Sequence, residues 1–172
     1  MKTRQLTLAS LFTALVFLVT RFLQVPIPLG YFNVGNSIIL LACILMPSPY
    51  GVAAGAIGSA LADLTSFPIY TVPTLIIKAL MPVVFYAMTW KLKESGEHKK
   101  SLKVHVAAAS VSTLIPLFGY TFTGMILYGN FVTGLAQFPG LLVEYAANIV
   151  LFVLLRRVFL SAHLIDLNST VD

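Results

Sequence analysis

Proline and glycine help divide this chain into six apolar stretches, most of them near the length that a bilayer-crossing helix requires and the second and third shorter. About 20 mostly apolar residues are needed to span the hydrocarbon core. The first stretch runs from Leu6 to Leu23 and stops at Gln24-Val-Pro-Ile-Pro-Leu-Gly30, where two prolines remove backbone donors and leave an extended connection. The second, Val34 to Met46, ends at Pro47-Ser-Pro49. The third covers Gly51 to Phe67, the fourth Val72 to Trp90 and the fifth Val104 to Leu127. A turn from Tyr128 to Phe138 leads into the sixth, Pro139 to Phe159, with Pro139 suited to a first helical turn. The expectation is an all-α membrane protein. It would be a six-transmembrane-helix bundle over residues 1–160 with a polar tail over 161–172.

Composition agrees with that pattern. A chain of 172 residues that is 58% apolar and 10% charged cannot cover itself with a water-facing surface. Its mean hydropathy is +0.92. Disorder is excluded by the same arithmetic, and a nucleic-acid partner is disfavoured because the basic residues are loop-bound and interspersed with Glu94 and Glu97. A single cysteine, Cys43, offers neither a disulfide framework nor a cysteine metal cluster.

The basic residues also orient the bundle. Lys2 and Arg4 precede the first helix, Lys91, Lys93, Lys99, Lys100 and Lys103 fall between the fourth and fifth, and Arg156 and Arg157 close the sixth. In a six-helix arrangement all of these lie on one side. The opposite connections, around residues 24–33, 67–71 and 128–138, contain no Lys or Arg. The positive-inside rule then makes both termini cytoplasmic in a multi-pass protein of the cell membrane. The first stretch has no Ala-x-Ala site at its outer end and reads as a retained helix.

Four ionisable residues remain within the apolar stretches: Arg21, Asp63, Lys78 and Glu144. Each costs at least about 2.5–3.5 kcal/mol at the centre of a bilayer, so each requires a partner, a wet cavity or a ligand. All sit toward the outer ends of their helices. Asn33 and Asn36 open the second helix, Tyr70 and Thr74 the fourth, and Tyr120 closes the fifth. Asn148 lies one turn beyond Glu144, and that spacing places carboxylate and amide on one inward face. Two readings follow. The charges tie helices together as the pairs Asp63–Lys78 and Arg21–Glu144, or they line a small aromatic-walled cavity for a flat polar ligand.

Small residues form two stripes. Gly51-x-x-x-Gly55-x-x-x-Ser59 continues to Asp63 in the third helix, where internal packing explains it. In the inner half of the first helix, Ala9-x-x-x-Thr13 overlaps Ser10-x-x-x-Ala14, which fits either internal packing or the docking of another membrane subunit.

Catalysis finds no support in the sequence. His98, His105 and His163 are far from the outer polar group, and no zinc-protease, nucleophile-elbow or phosphate-loop motif occurs. A stand-alone pump is excluded for want of a nucleotide site. An autonomous secondary transporter of a small polar solute remains the alternative, although paired interrupted helices are not seen.

The run Gly30-Tyr-Phe-Asn33-Val-Gly35-Asn36, then Pro47-x-x-x-Gly51-x-x-x-Gly55-Ala-Ile-Gly58-Ser-Ala-Leu-Ala-Asp63-Leu, then Thr74-Leu-Ile-Ile-Lys78, resembles the substrate-binding S components of energy-coupling factor (ECF) vitamin transporters. More narrowly it is similar to the hydroxymethylpyrimidine or pyridoxine group, which also holds proteins loosely labelled riboflavin-type. The resemblance covers residues 5–158 and is strongest over 30–80. It implies a six-helix bundle that captures a vitamin beneath the loop joining the first two helices. It also implies docking on a transmembrane T subunit, and two ATPase subunits that use ATP, so that this chain needs no cofactor of its own. Ser10 and Ala14 match the docking motif, with Ala9 and Thr13 beside them. Asn33, Asp63 and Lys78 match the signature, whereas Asn36 stands where an acidic residue is often found. The expected ligand contacts are Asn33, Asn36, Asp63, Tyr70, Thr74, Lys78, Tyr120, Glu144 and Asn148, under a lid formed by residues 24–33.

Overall fold

A computed structural model of the chain describes residues 2–27, 30–94 and 102–161. The polar tail beyond Ser161 and the middle of the basic connection, with His98, Lys99 and Lys100, lie outside the described residues.

The first helix, α1, spans Lys2–Phe22 and is followed by two short strands, β1 (Gln24–Ile27) and β2 (Gly30–Asn33). Where the sequence suggested an extended connection, the chain forms an antiparallel hairpin with Gln24 opposite Asn33 and Pro26 opposite Tyr31. With only two strands, Pro26 has an open edge for its missing donor, so the sheet tolerates it. Then come α2 (Gly35–Leu45), α3 (Ser48–Ser66), a single 3-10 turn at Pro68–Tyr70, α4 (Thr71–Glu94) and α5 (Leu102–Leu127). A short α6 (Phe131–Leu135) lies within the expected turn, and α7 (Phe138–Ser161) completes the bundle. Asn130 starts α6 by accepting the Val132 amide through its side chain, an ordinary N-cap.

Six of the described helices have 11 residues or more. Four stretches are long and apolar enough to cross a membrane: Thr3–Phe22, Pro68–Trp90, Leu102–Leu127 and Phe131–Ser161. At 11 residues α2 is too short, because it rises only about 16 Å. It is instead the axis of the bundle, with every residue from Gly35 to Ile44 buried. In α3, glycine and alanine dilute the hydropathy and serve contact with its neighbours. A Cβ on Gly55 would press on Ile39 of α2, and one on Gly58 would lie 2.6 Å from the Thr13 carbonyl of α1. The internal-packing reading of the α3 stripe therefore holds, with Gly51, Gly55, Ser59 and Asp63 all buried.

The bundle is inverted relative to a soluble protein. Large apolar side chains such as Leu11, Phe22, Val72, Phe122 and Val150 are exposed on its outer surface, while amides and charges are inside. Such a surface matches hydrocarbon, where packing and interhelical hydrogen bonds hold helices together. One half has an apolar core. Phe85 meets Phe152 edge-on at 6.1 Å and stacks on the buried ring of His105 at 6.0 Å. Asp63, Lys78, Glu144 and the polar residues around them occupy the other half, at the end that carries the hairpin.

Candidate functional site

Elements from all parts of the chain enclose a cavity at the hairpin end. Its wall is formed by Thr20 of α1, Tyr31 and Asn33 of β2, Ser59 and Asp63 of α3, Phe67 and Tyr70 beyond it, and Thr74 and Lys78 of α4. Tyr120 of α5, Gln137 just before α7, and Leu141 and Glu144 of α7 close it. The space is tight, at about 30 Å³. A single water requires about 10–15 Å³, so the cavity is closed down to the scale of small solvent.

The hairpin is fastened over this space at three points. Tyr31 donates its phenolic hydrogen to Asp63, and its ring lies 5.5 Å from that of Phe67. Burial, together with the Asp63 carboxylate, pushes the Tyr31 phenol above its ordinary range, which keeps it protonated as the donor. Gln24 donates to the Thr20 carbonyl at 2.9 Å and to the Ser66 hydroxyl at 3.2 Å. Near its tip, Ile27 lies against Gly140, where a Cβ would come within 2.6 Å of it.

Two polar groups organise the wall. In the first, Asp63 accepts from Thr74 as well as from Tyr31, and the Thr74 hydroxyl lies 3.0 Å from that of Tyr120. The Lys78 ammonium sits over the Tyr120 ring at 5.3 Å, a cation–π contact. In the second, Lys78 donates to the Asn36 side-chain oxygen, and the Asn36 amide donates to Glu144 at 2.8 Å. Tyr70 and Gln137 form a third, smaller pair, with the Gln137 amide donating to the Tyr70 hydroxyl at 3.2 Å.

The structure thus brings seven of the nine expected ligand residues to the cavity wall: Asn33, Asp63, Tyr70, Thr74, Lys78, Tyr120 and Glu144. Asn36 and Asn148 are not on it. Asn36 stands behind the wall between Lys78 and Glu144. Asn148 is fully buried and spent on the backbone: it accepts the Ser37 amide at 2.8 Å and donates to the carbonyls of Asn33 at 2.8 Å and Glu144 at 2.9 Å. Asn33 also uses its side chain locally, accepting the Gly35 amide at 2.8 Å before α2 begins.

Neither anticipated charge pair is the one these groups make. Lys78 reaches Asn36 rather than Asp63, and Glu144 is held by Asn36 while Arg21 lies over the Phe22 ring at 5.7 Å. An amide between two charges satisfies both at once, and the hydroxyls of Tyr31 and Thr74 do the same for Asp63.

Sequence reasoning passed over Thr20, Tyr31, Ser59, Phe67, Gln137 and Leu141. Ser59 had a signal, since it lies one turn before Asp63 on the small-residue stripe. Tyr31 stood inside the Gly30–Asn33 run, but only the hairpin aims it at Asp63. Thr20 Oγ1 and Ser59 Oγ are buried on the wall and have no hydrogen-bond partner. Buried hydroxyls are seldom left so, and both can bond a polar guest.

The overlapping stripes of α1 part company. Ala9 is buried and the half-buried Thr13 brings its carbonyl against Gly58, so both positions pack within the bundle. Ser10 and Ala14 are exposed on the opposite face beside Leu11, Leu15 and Leu18.

Comparison with known proteins yields three findings. The family model for the S component of ECF-type riboflavin transporters matches residues 1–160. A Pyrococcus woesei protein, described as an uncharacterized protein in the gap 3' region, is 30% identical over 138 residues, covering 79% of this chain and 88% of its own. Among solved structures, the S component of a bacterial ECF transporter superposes with a TM-score of 0.74. It covers 96% of this chain and 99% of its own at 18% identity, a likeness of fold.

Proposed function

The chain belongs to the S-component family of ECF-type riboflavin transporters, and from that premise we propose that it captures a single-ring heterocyclic vitamin or precursor, hydroxymethylpyrimidine or pyridoxine, beneath the β1–β2 hairpin. Members of this family are membrane-embedded substrate-binding subunits of a transporter, not enzymes. The vitamin is delivered by docking on a T subunit, whose two ATPase partners hydrolyse the ATP.

The observation that carries the reading is the cavity itself: three ionisable side chains, three tyrosines and two unpartnered hydroxyls face one space inside an apolar bundle. Intramembrane charges at such cost mark substrate sites. At about 30 Å³ the cavity must open for any vitamin, and the single-ring reading rests on the likeness of the Gly30–Lys78 run. Glu144, Asn33 and Tyr70 bond the ring substituents, Tyr120 supplies an aromatic face, and the hairpin opens by releasing its Tyr31 anchor to admit the guest. The nine basic residues that the sequence sets at the termini and between α4 and α5 support an orientation with both termini in the cytoplasm and the cavity toward the exterior. The exposed Ser10–Ala14 face of α1 is the surface for the T subunit.

Mass spectrometry of small molecules released from gently purified protein identifies the ligand, followed by titration with hydroxymethylpyrimidine, pyridoxine and riboflavin. Tight binding of a single-ring vitamin supports the proposal, and binding of riboflavin alone refutes its substrate. Uptake into liposomes by this chain alone under an ion gradient would favour an autonomous carrier instead.

A further inference from the structure

Asn36 hydrogen-bonds both Lys78 and Glu144 and is not among the residues that line the cavity. Lys78 donates to its oxygen at 2.5 Å and its amide nitrogen donates to Glu144 Oε1 at 2.8 Å. All three are buried, with Asn36 and Lys78 each 1% exposed. An amide has one accepting and one donating end, so it fits between an ammonium and a carboxylate in one orientation only. That orientation leaves the other N–H donors of Lys78, and the accepting capacity of Glu144 beyond its bonds from Asn36 and the Asn33 backbone amide, to serve the cavity that both residues line. Without the intervening amide, opposite charges in so dry a place would close on each other and spend those atoms in an ion pair.

We infer that Asn36 is a positioning residue for specificity: it spaces Lys78 and Glu144 so that they present a hydrogen-bond donor and an acceptor side by side to the ligand edge. The inference rests on the substrate-capture reading above and sharpens it. The complementary ligand edge has an acceptor beside a donor, as in an aminopyrimidine, whose ring nitrogen takes a hydrogen from Lys78 while its amino group donates to Glu144. Pyridoxine has no amino group beside its ring nitrogen, so hydroxymethylpyrimidine is the better match of the two.

Exchanging the groups tests this directly. In Glu144→Gln the Asn36 amide still donates to the glutamine oxygen, which turns the glutamine NH2 toward the ligand as a donor where an acceptor is required. In Asn36→Asp the new carboxylate pairs with Lys78 and repels Glu144. Combined, Asn36→Asp/Glu144→Gln restores the order. Lys78 donates to Asp, the glutamine NH2 donates to Asp, and the glutamine oxygen faces the cavity as an acceptor again.

Binding of hydroxymethylpyrimidine to purified full-length protein, measured by calorimetry with riboflavin as the second probe, reads the result. Each single variant should weaken binding about tenfold or more. The double variant should return to within about threefold of the unaltered protein, which independent damage at two sites cannot produce. If Asn36→Asp alone does not fold, the comparison of Glu144→Gln with the double variant decides. A double variant no better than Glu144→Gln overturns the inference. Binding of riboflavin but not hydroxymethylpyrimidine by the unaltered protein refutes the single-ring substrate, and the exchange is then read with riboflavin, whose dione edge also sets acceptors beside an N–H donor. Binding of neither probe overturns both.

Discussion

Tyr31 of the hairpin donates its hydroxyl hydrogen to Asp63 of α3, and this bond joins the β1–β2 hairpin to the small-residue face of α3. Thr74 bonds the same carboxylate from α4. One acid therefore gathers the cover and two walls of the cavity.

Tyr31→Phe removes only the hydroxyl. A hydrogen bond to a charged group contributes about 1.5–3 kcal/mol, so hairpin opening should become roughly tenfold to a hundredfold more frequent. Amide hydrogen exchange over residues 24–33 should accelerate while that of α2 stays slow. Unchanged exchange in the hairpin would show that Gln24 and Ile27 hold it without Tyr31.

Asn148→Ala should act on the fold. Its three bonds hold the start of α2, the end of β2 and the second turn of α7 together, and their loss weakens the pairing of these buried backbone groups. A cost of about 2–4 kcal/mol follows from net values near 1 kcal/mol for each of these bonds. Thermal unfolding in detergent should show it with or without ligand. A variant that melts normally yet loses ligand would place Asn148 in the site.

The unpartnered hydroxyls give the opposite pattern. Removing a buried donor that bonds nothing relieves a desolvation penalty of about 1–3 kcal/mol. Thr20→Val and Ser59→Ala should therefore match or exceed the parent's melting temperature without ligand. Both should gain less stability on adding the vitamin. A ligand-induced shift equal to the parent's in both variants would remove these hydroxyls from the binding surface.

The two faces of α1 should respond differently. Gly58→Val drives a branched side chain toward the Thr13 carbonyl, 2.6 Å from the new Cβ, and should lower yield and melting temperature sharply. Ala14→Leu adds bulk on the exposed face and should spare folding and vitamin binding while preventing co-purification with the T subunit. Normal co-purification of that variant would move the docking surface elsewhere.

Much of the architecture was legible in the chain because hydropathy belongs to a contiguous segment. The prolines at 47 and 49 stop one helix and start another whatever surrounds them, and Glu144 with Asn148 had to face inward because hydrocarbon rejects both. The hairpin was not legible. Its strands are four residues each, one of them interrupted by Pro26, and they pair only because α1 and α2 bring their ends together. Nor was the division of labour on α1, since Ala9 and Ser10 are equally small, and only the approach of Gly58 selects which one is covered.

What the residues determined unaided is a lipid-adapted bundle with costly polar groups gathered toward one end. Helix length, charge placement and spacing are local properties, and the solvent imposes them directly. Partnership was decided by the tertiary structure alone. Asn36 and Glu144 lie 108 positions apart, and a carboxylate accepts equally from arginine, lysine, tyrosine or amide. Which of these it meets depends on how closely the helices approach, and that is set by packing around glycines rather than by the charges themselves.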